Sequence, residues 1–556
     1  MSPSATGSEP SQFTLIGAAD AAAAALPDRD LIVQGDRRHT YAQIAERSKR
    51  LAAYLHSRGL GAHTERATLD NHEVGQDLLG IYAYNGNEFV ESLLGAFRSR
   101  VAPFNVNYRY VKNELQHLLA DAGATALVYH ATFAPRVAEI RAELPELRVL
   151  IQIADDSGNK LLDGAVDYET VIAATEPDPI PVQPSPDDLY VLYTGGTTGM
   201  PKGVLWRQHD IYMAACGGGN VSTGDTVGSY EEIEARAAEN PGVKLMLLPP
   251  LIHGAAQWAV MTAMTTGQTV VLSSVLDRVD GEEIVRAIER EKVAIAIVVG
   301  DAMARPLLAA VRETGADVSS LAALANGGAI LSPTVKQQWI EAIPGLAVLD
   351  GVGSSETGTQ LHHVSAAGFV STGTFTAGTD TRVVAEDLGT VLDAGHEGLG
   401  WLAKRRFTPL GYKGDPVKTA ATFPVIDGVR YVLPGDRARH LENGNIELLG
   451  RDAVTINSGG EKIFAEEVEV AISSHPAVAD VLVVGRPSER WGQEVVAVVE
   501  LVEGHSADAA ELIGHAAASI ARYKLPKAVV FRPAISRSPA GKADYRWARE
   551  QAVAAD

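Results

Sequence analysis

Tyr193-Thr194-Gly195-Gly196-Thr197-Thr198-Gly199-Met200-Pro201-Lys202-Gly203 follows directly on the apolar run Leu189–Leu192. Its four glycines would be poor in any regular element, because glycine gives up the most backbone freedom on folding. In a loop they let successive main-chain N–H groups converge on an anion. Thr194, Thr197 and Thr198 add hydroxyl donors and Lys202 adds a mobile positive charge. A strand running into such a loop predicts a phosphate cradle at a sheet edge. It is not the P-loop of nucleoside triphosphatases, which needs Gly-Lys followed by Ser or Thr, whereas Lys202 stands between Pro201 and Gly203.

The chain around this loop has 556 residues, enough for at least two domains and a sizeable core. Hydrophobic residues make up 46% and charged residues 21%, ordinary for a globular enzyme and unlike a disordered chain. The formal net charge of −21 argues against nucleic-acid partners and anionic membranes, so a phosphate must be gripped locally. The single cysteine, Cys216, cannot form an intrachain disulfide and suits a reducing compartment. The first ten residues lack the cationic and apolar regions of a signal peptide, and no run reaches the ~18 apolar residues of a membrane helix. A cytoplasmic protein without stable membrane insertion is expected.

Residues 1–12 are rich in Ser, Pro and Gly and are expected to be mobile. Thr40 followed by Gln43 has the capping-box pattern, Ile44, Leu51 and Leu55 form a helical stripe, and Gly59 suits a left-handed stop. From Leu79 short apolar runs alternate with amphipathic stretches, which predicts βαβ units. The alternation continues through Leu245–Leu248, Val270–Ser273, Val293–Val299, Leu321–Leu324 and Leu346–Leu349. The expected fold is therefore α/β, with helix-covered, largely parallel sheets in a large N-terminal domain, residues 1–450. Turn-rich sequence at Tyr431–Gly450 closes it, and a small mobile α+β domain follows, residues 451–556. Its expected elements are helices Glu466–Ser473 and Ala510–Ala521 and strands Val481–Val484, Val495–Leu501 and Ala528–Phe531.

Further stretches follow the glycine loop in a fixed order. They are Leu248-Pro249-Pro250-Leu251-Ile252-His253-Gly254, Asn326-Gly327-Gly328-Ala329 and Asp350-Gly351-Val352-Gly353-Ser354-Ser355-Glu356-Thr357-Gly358. After them come Tyr431-Val432-Leu433-Pro434-Gly435-Asp436, Gly450-Arg451, Ser458-Gly459-Gly460-Glu461-Lys462 and Ser538-Pro539-Ala540-Gly541-Lys542. With the loop, these resemble the adenylate-forming superfamily of acyl-CoA synthetases, luciferases and peptide-synthetase adenylation domains, over most of the chain. Phe104-Asn105-Val106-Asn107-Tyr108-Arg109-Tyr110, Gly300-Asp301-Ala302-Met303-Ala304-Arg305-Pro306 and the segment Pro539–Trp547 look closest to actinobacterial fatty-acyl-CoA synthetases acting on long-chain or steroid side-chain acids.

The resemblance implies an ATP-dependent acid–thiol ligase that makes an acyl-adenylate and then acyl-CoA, using ATP, Mg²⁺ and coenzyme A. An adenylating enzyme that passes the acyl group to oxygen or to a carrier-protein thiol would share every motif. The implied catalytic residues are Lys542, Glu356, Lys202 and His253, with Glu356 and Thr194 as metal ligands. A hard cation bridging phosphates prefers carboxylate and needs only one or two protein ligands. Implied nucleotide contacts are Thr194–Gly199, Gly327, Gly328 and Ala329, Asp350–Ser355, Asp436 and Arg451. Gly459, Gly460 and Lys462 would meet coenzyme A when the small domain rotates. His253, Trp258, Gly300, Met303 and Gly327 would meet the acid, small residues leaving room for a bulky acyl group. Val352 stands where an aromatic residue commonly stacks on adenine, and Ala453 where a hinge Asp or Lys is usual. Dimers are common in the family, so a homodimer is compatible with the resemblance.

Overall fold

The structure is a computed structural model that describes residues 12–554 except 178, 195–200, 371–372, 452–453, 459–460, 489–490 and 538–540, and of Lys462 the backbone alone. Local signals place the first elements. Thr40 caps the helix Tyr41–Ser57 with both capping-box bonds formed, and Ile44, Leu51 and Leu55 are buried along its stripe. The alanine run lies within the helix Leu15–Ala25, capped by Thr14.

Among the described residues three sheets form. In the eight-stranded one, Leu78–Tyr82, Ala102–Asn105, Ala124–His130 and Val149–Ile153 pair in parallel, and Ala102–Asn105 pairs in parallel with Leu189–Thr194. The strand Lys202–Arg207 then runs back antiparallel to Leu189–Thr194, with Thr194 opposite Lys202. The sixteen-stranded sheet has a parallel half built from Asp30–Gln34, Lys244–Leu247, Thr269–Leu272, Ile295–Val298, Ala323–Gly327 and Ala347–Ser354. Lys244–Leu247 and Thr269–Leu272 are largely buried and aliphatic because helices cover both faces. The helix Gly281–Glu291, for example, buries Ile284, Val285, Ala287 and Ile288.

Beyond Ser354 the same sheet becomes antiparallel, through Gly358–Ser365, Thr374–Ala377, Asp436–His440 and Ile446–Arg451. The stretch read as turns at Tyr431–Gly450 thus contains paired strands, short ones whose glycines sit at the reversals. The sheet membership changes between Arg451 and Ile456. The five-stranded sheet after it pairs Val478–Ser488 with Gly492–Leu501, and adds Ala528–Phe531 in parallel. The helix Ala509–Ala516 stops five residues short of its expected end. No helix among the described residues is long and apolar enough to cross a membrane.

Candidate active site

Two buried or half-buried asparagines fix the floor. Asn105, at the end of its parallel strand, accepts from Tyr193 N–H at 2.9 Å and donates Nδ2 to Tyr193 O at 2.8 Å and Ile252 O at 2.7 Å. Asn85 accepts from Leu251 N–H at 2.7 Å and donates to Pro249 O at 3.1 Å. The foot of the glycine loop and the Pro249–His253 segment are therefore tied together by side chains that replace missing ladder bonds. Thr194 and Lys202 face each other across the mouth of the hairpin, while Gly195, Gly196, Thr197, Thr198 and Gly199 lie outside the described residues. Lys202 is ion-paired with Asp415, which caps the helix Pro416–Thr422, and this contact holds the Asp415 carboxyl below the usual range.

Glu356 sits at the turn between the antiparallel strands Ala347–Ser354 and Gly358–Ser365. Ser354 Oγ accepts from Glu356 N–H at 3.2 Å, and Thr357 Oγ1 accepts from Ser354 N–H at 2.9 Å. The turn tolerates only glycine at 353, where a Cβ would lie 2.1 Å from Gly358 O. Tyr412 Oη donates to Glu356 Oε1 at 2.8 Å, and burial followed by the Glu356 charge raises the phenol. The Lys418 ammonium lies 4.1 Å from the centre of the Tyr412 ring, and burial followed by Lys202 lowers it. Asp436 and Arg451 oppose one another in register, Nε to Oδ1 3.2 Å, and Asp436 is what chiefly raises the Arg451 guanidinium. Burial raises the Asp436 carboxyl against the pull of Arg451.

Lys542, from the small domain, joins this group. Gly541 has φ +71°, and a Cβ there would stand 3.0 Å from Val299 O, so the small domain's last loop lies on the end of a large-domain strand. Lys542 keeps an exposed surface, yet protein surrounds it closely enough that burial, then Arg451, lowers its ammonium, with Glu356 opposing. Burial first and then Lys542 push the His253 imidazole down to about 3. His253 occupies the N-cap of the helix Gly254–Thr265 but makes no side-chain capping bond, and its buried Nε2 has no partner among the described residues. A histidine satisfied by capping is therefore excluded. The terminal lysine, the Glu356 turn, the Asp436–Arg451 pair and His253 converge on one place.

Profiles of two family segments match this chain: the AMP-binding enzyme family over residues 19–406 and the AMP-binding enzyme C-terminal domain over residues 467–542. The chain belongs to the AMP-binding enzyme family. Among relatives in this family, the medium-chain acyl-CoA ligase Mig of Mycobacterium avium is 71% identical over 541 residues, covering 97% of this chain and 98% of that one. The 3-oxocholest-4-en-26-oate–CoA ligase of Rhodococcus rhodochrous is 40% identical over 534 residues, 95% of this chain and 93% of that one. The anthranilate CoA ligase AuaEII, solved with anthranoyl-AMP, shares the fold with a TM-score of 0.83 at 21% identity, covering 98% and 99% of the two chains. The adenylate-forming fold, a large N-terminal domain of mixed sheets and helices with a small C-terminal domain, is thus established.

Several expected contacts of an AMP-binding enzyme fall elsewhere. The Asp350 carboxylate is turned to Lys336, 2.6 Å away with both side chains 6% exposed, and to Asn326 Nδ2 at 3.0 Å. It therefore orders the wall formed by Gly327, Gly351 and their strands. Asn326 Oδ1 also accepts from Gly300 N–H at 2.7 Å. The room expected at Gly300 is already filled, since a Cβ would meet Ile330 O at 2.7 Å and the Ala329 methyl at 2.9 Å. Met303 and Trp258 are buried in two separate hydrophobic clusters rather than along one passage. Gly328 takes φ +80° and Val352 packs against a small aliphatic cluster. Gly459, Gly460 and Ala453 lie outside the described residues, as does the Lys462 side chain, at a hairpin pairing Ser458 with Glu461. Tyr412, Asp415 and Lys418 were missed in the sequence. Their signal is local, Gly411-Tyr412 followed by an Asp-Pro helix start, and nothing in it points to Glu356. Cys216 is buried and its thiol raised by burial, which makes it inert.

Proposed function

We infer that this chain is an ATP-dependent acid–thiol ligase acting on medium- to long-chain fatty acids, with steroid side-chain acids at the bulky end of its range. It converts the acid to an acyl-adenylate with release of pyrophosphate, and then to acyl-CoA with release of AMP. The observation that carries the reading is the gathering of Lys542, Glu356, Arg451 and His253 from distant parts of the chain. The acid range follows the names of its relatives, one for medium-chain acids and one for a steroid side-chain acid.

A carboxylate is a poor acyl donor because oxide would have to leave, and adenylation supplies a better leaving group. In the first step the acid oxygen attacks the α-phosphorus. We assign to Lys542 the neutralisation of charge gathering between carboxylate and phosphate, and to Lys202 and the Gly/Thr loop the grip on the outgoing phosphates. Lys202 leaves Asp415 to do so. Asp436 accepts from the ribose hydroxyls and Arg451 backs them with a fixed cation. His253, uncharged at neutral pH, lines the acid's side of the site without adding charge. Glu356 suits Mg²⁺, a hard cation that prefers carboxylate, and its Oε1 is oriented by the bond from Tyr412. Glu356 and Thr194 would hold that ion, which would supply positive charge to the phosphates. In the second step the coenzyme A thiol displaces AMP, and no protein nucleophile is needed. A cytoplasmic location fits this pair of substrates.

The test is a panel of acids from short fatty acids to steroid side-chain acids, assayed for AMP release with and without coenzyme A. Acyl-CoA formation with medium and long chains is expected. Turnover that proceeds equally with coenzyme A replaced by another acceptor would reassign the second half-reaction.

A further inference from the structure

Lys404 is buried, 6% exposed, in the strand Gly400–Arg405. Among the described residues no carboxylate partners it: Asp380, the acid whose field reaches it, lies 3.5 Å from Arg405 and 3.6 Å from Arg406. Its Nζ instead donates to Thr357 O at 2.7 Å and to Thr359 O at 3.2 Å. These carbonyls flank Gly358, whose φ of +64° ends the turn that carries Glu356. A second donor holds the same turn from behind: Trp206, fully buried, gives its indole N–H to Ser355 O at 2.8 Å. Tyr412 meets the carboxylate itself.

Burying an ammonium without a counter-ion is unfavourable, and an aliphatic side chain would fill an inward strand position without that penalty. Burial has lowered this ammonium to about 8, with Asp380 opposing. A charge held under such conditions implies work that a methyl group cannot do. Charged donors make the stronger hydrogen bonds, and this one ammonium holds the main-chain carbonyls on either side of a left-handed glycine.

We propose that Lys404 is a positioning residue which fixes the Glu356 turn from behind and so sets the enzyme's response to Mg²⁺·ATP. The proposal rests on the reading of Glu356 as the cation's ligand. Its effect is on how well the turn is preset before ligand arrives, since a carboxylate on a loosened turn must be ordered at the moment of binding.

The experiment compares the full-length enzyme with Lys404→Met, Lys404→Gln and Glu356→Gln. Two readouts do not depend on turnover: the Mg²⁺ concentration giving half of the Mg²⁺-dependent rise in Tm at saturating ATP, and hydrogen exchange of peptides covering residues 350–360. Lys404→Met is expected to raise that Mg²⁺ concentration at least fivefold and to speed exchange of the turn at least tenfold, while exchange in the small domain stays as in the wild type. Lys404→Gln, which keeps an uncharged NH₂ donor, should lie between, and it decides the matter if the methionine variant does not fold. A folded Lys404 variant with the wild-type Mg²⁺ midpoint, beside a Glu356→Gln variant whose midpoint has moved, overturns the role of Lys404. An unmoved midpoint in Glu356→Gln overturns instead the metal reading on which it rests.

Discussion

Lys542 lies within the fields of Arg451 and Glu356 and itself acts on His253, so its amine faces charges of both signs. Lys542→Ala is expected to lower acid-dependent pyrophosphate exchange by about 10²–10³-fold, the range for removing one group that meets developing charge. Thioester formation from supplied acyl-adenylate should persist, and equal loss in both half-reactions would end this division of labour. His253 makes the opposite kind of claim. With its imidazole held to about 3, it stays neutral across the working range, and a His253→Phe variant should keep the shape of the pH–rate profile between pH 5 and 8 whatever its rate. An acid limb present in the wild type and absent in the variant would contradict that. Both residues were singled out in the sequence because their segments resemble ordered motifs of a family, not by their type alone. Tyr412 and Lys418 were not, because their relation to Glu356 exists only across strands from different parts of the chain.

At the scale of elements, capping and strand-end bonds do the placing. Thr40→Ala removes one side of a complete capping box and should destabilise the protein by about 1 kcal/mol in urea titration. Asn105→Ala is a harsher change. It strands Tyr193 N–H, Tyr193 O and Ile252 O in a buried place, and each unpaired group costs about 1–3 kcal/mol, so a loss of at least about 3 kcal/mol is expected together with weaker ATP binding. Unchanged urea stability would show that water or backbone shifts restore those bonds. The Thr40 helix was legible in full since its cap, stripe and stop all lie within twenty residues. The antiparallel strands from Gly358 to Arg451 were not, because short strands interrupted by glycines carry the same composition as turns and are distinguished only by their partners.

At the scale of the whole molecule, the contact between the two domains carries a half-buried carboxyl. Glu466, on the helix Ala465–Ser473, sits where a Cβ on Gly450 would fall 2.4 Å from its Oε2. Asp436 and Arg451, opposed on neighbouring strands of the sixteen-stranded sheet, and Glu469 and Tyr545 of the small domain face it, and burial, then Asp436, pushes it up to about 7. Unfolded, it would lose its proton near 4.5. The folded chain therefore holds the extra proton between these values, so this group's contribution to stability falls as pH rises from about 4.5 to 7 and is flat above. Glu466→Gln should remove that part of the slope. The measurement is Tm of both proteins from pH 5 to 8.5, and parallel curves would rule out Glu466 as its source. What the amino-acid order carried alone was an α/β chain with a Gly/Thr-rich loop after a strand, both legible from residue type and close neighbours, while the acid and the lysine of adenylation came from the resemblance of ordered motifs to a family. Only tertiary structure decided that Lys542 comes within the field of Glu356, that Asp350 serves a lysine in the wall and that the space at Gly300 is filled. Those outcomes depend on which surfaces exclude water from one another, and no local pattern records that.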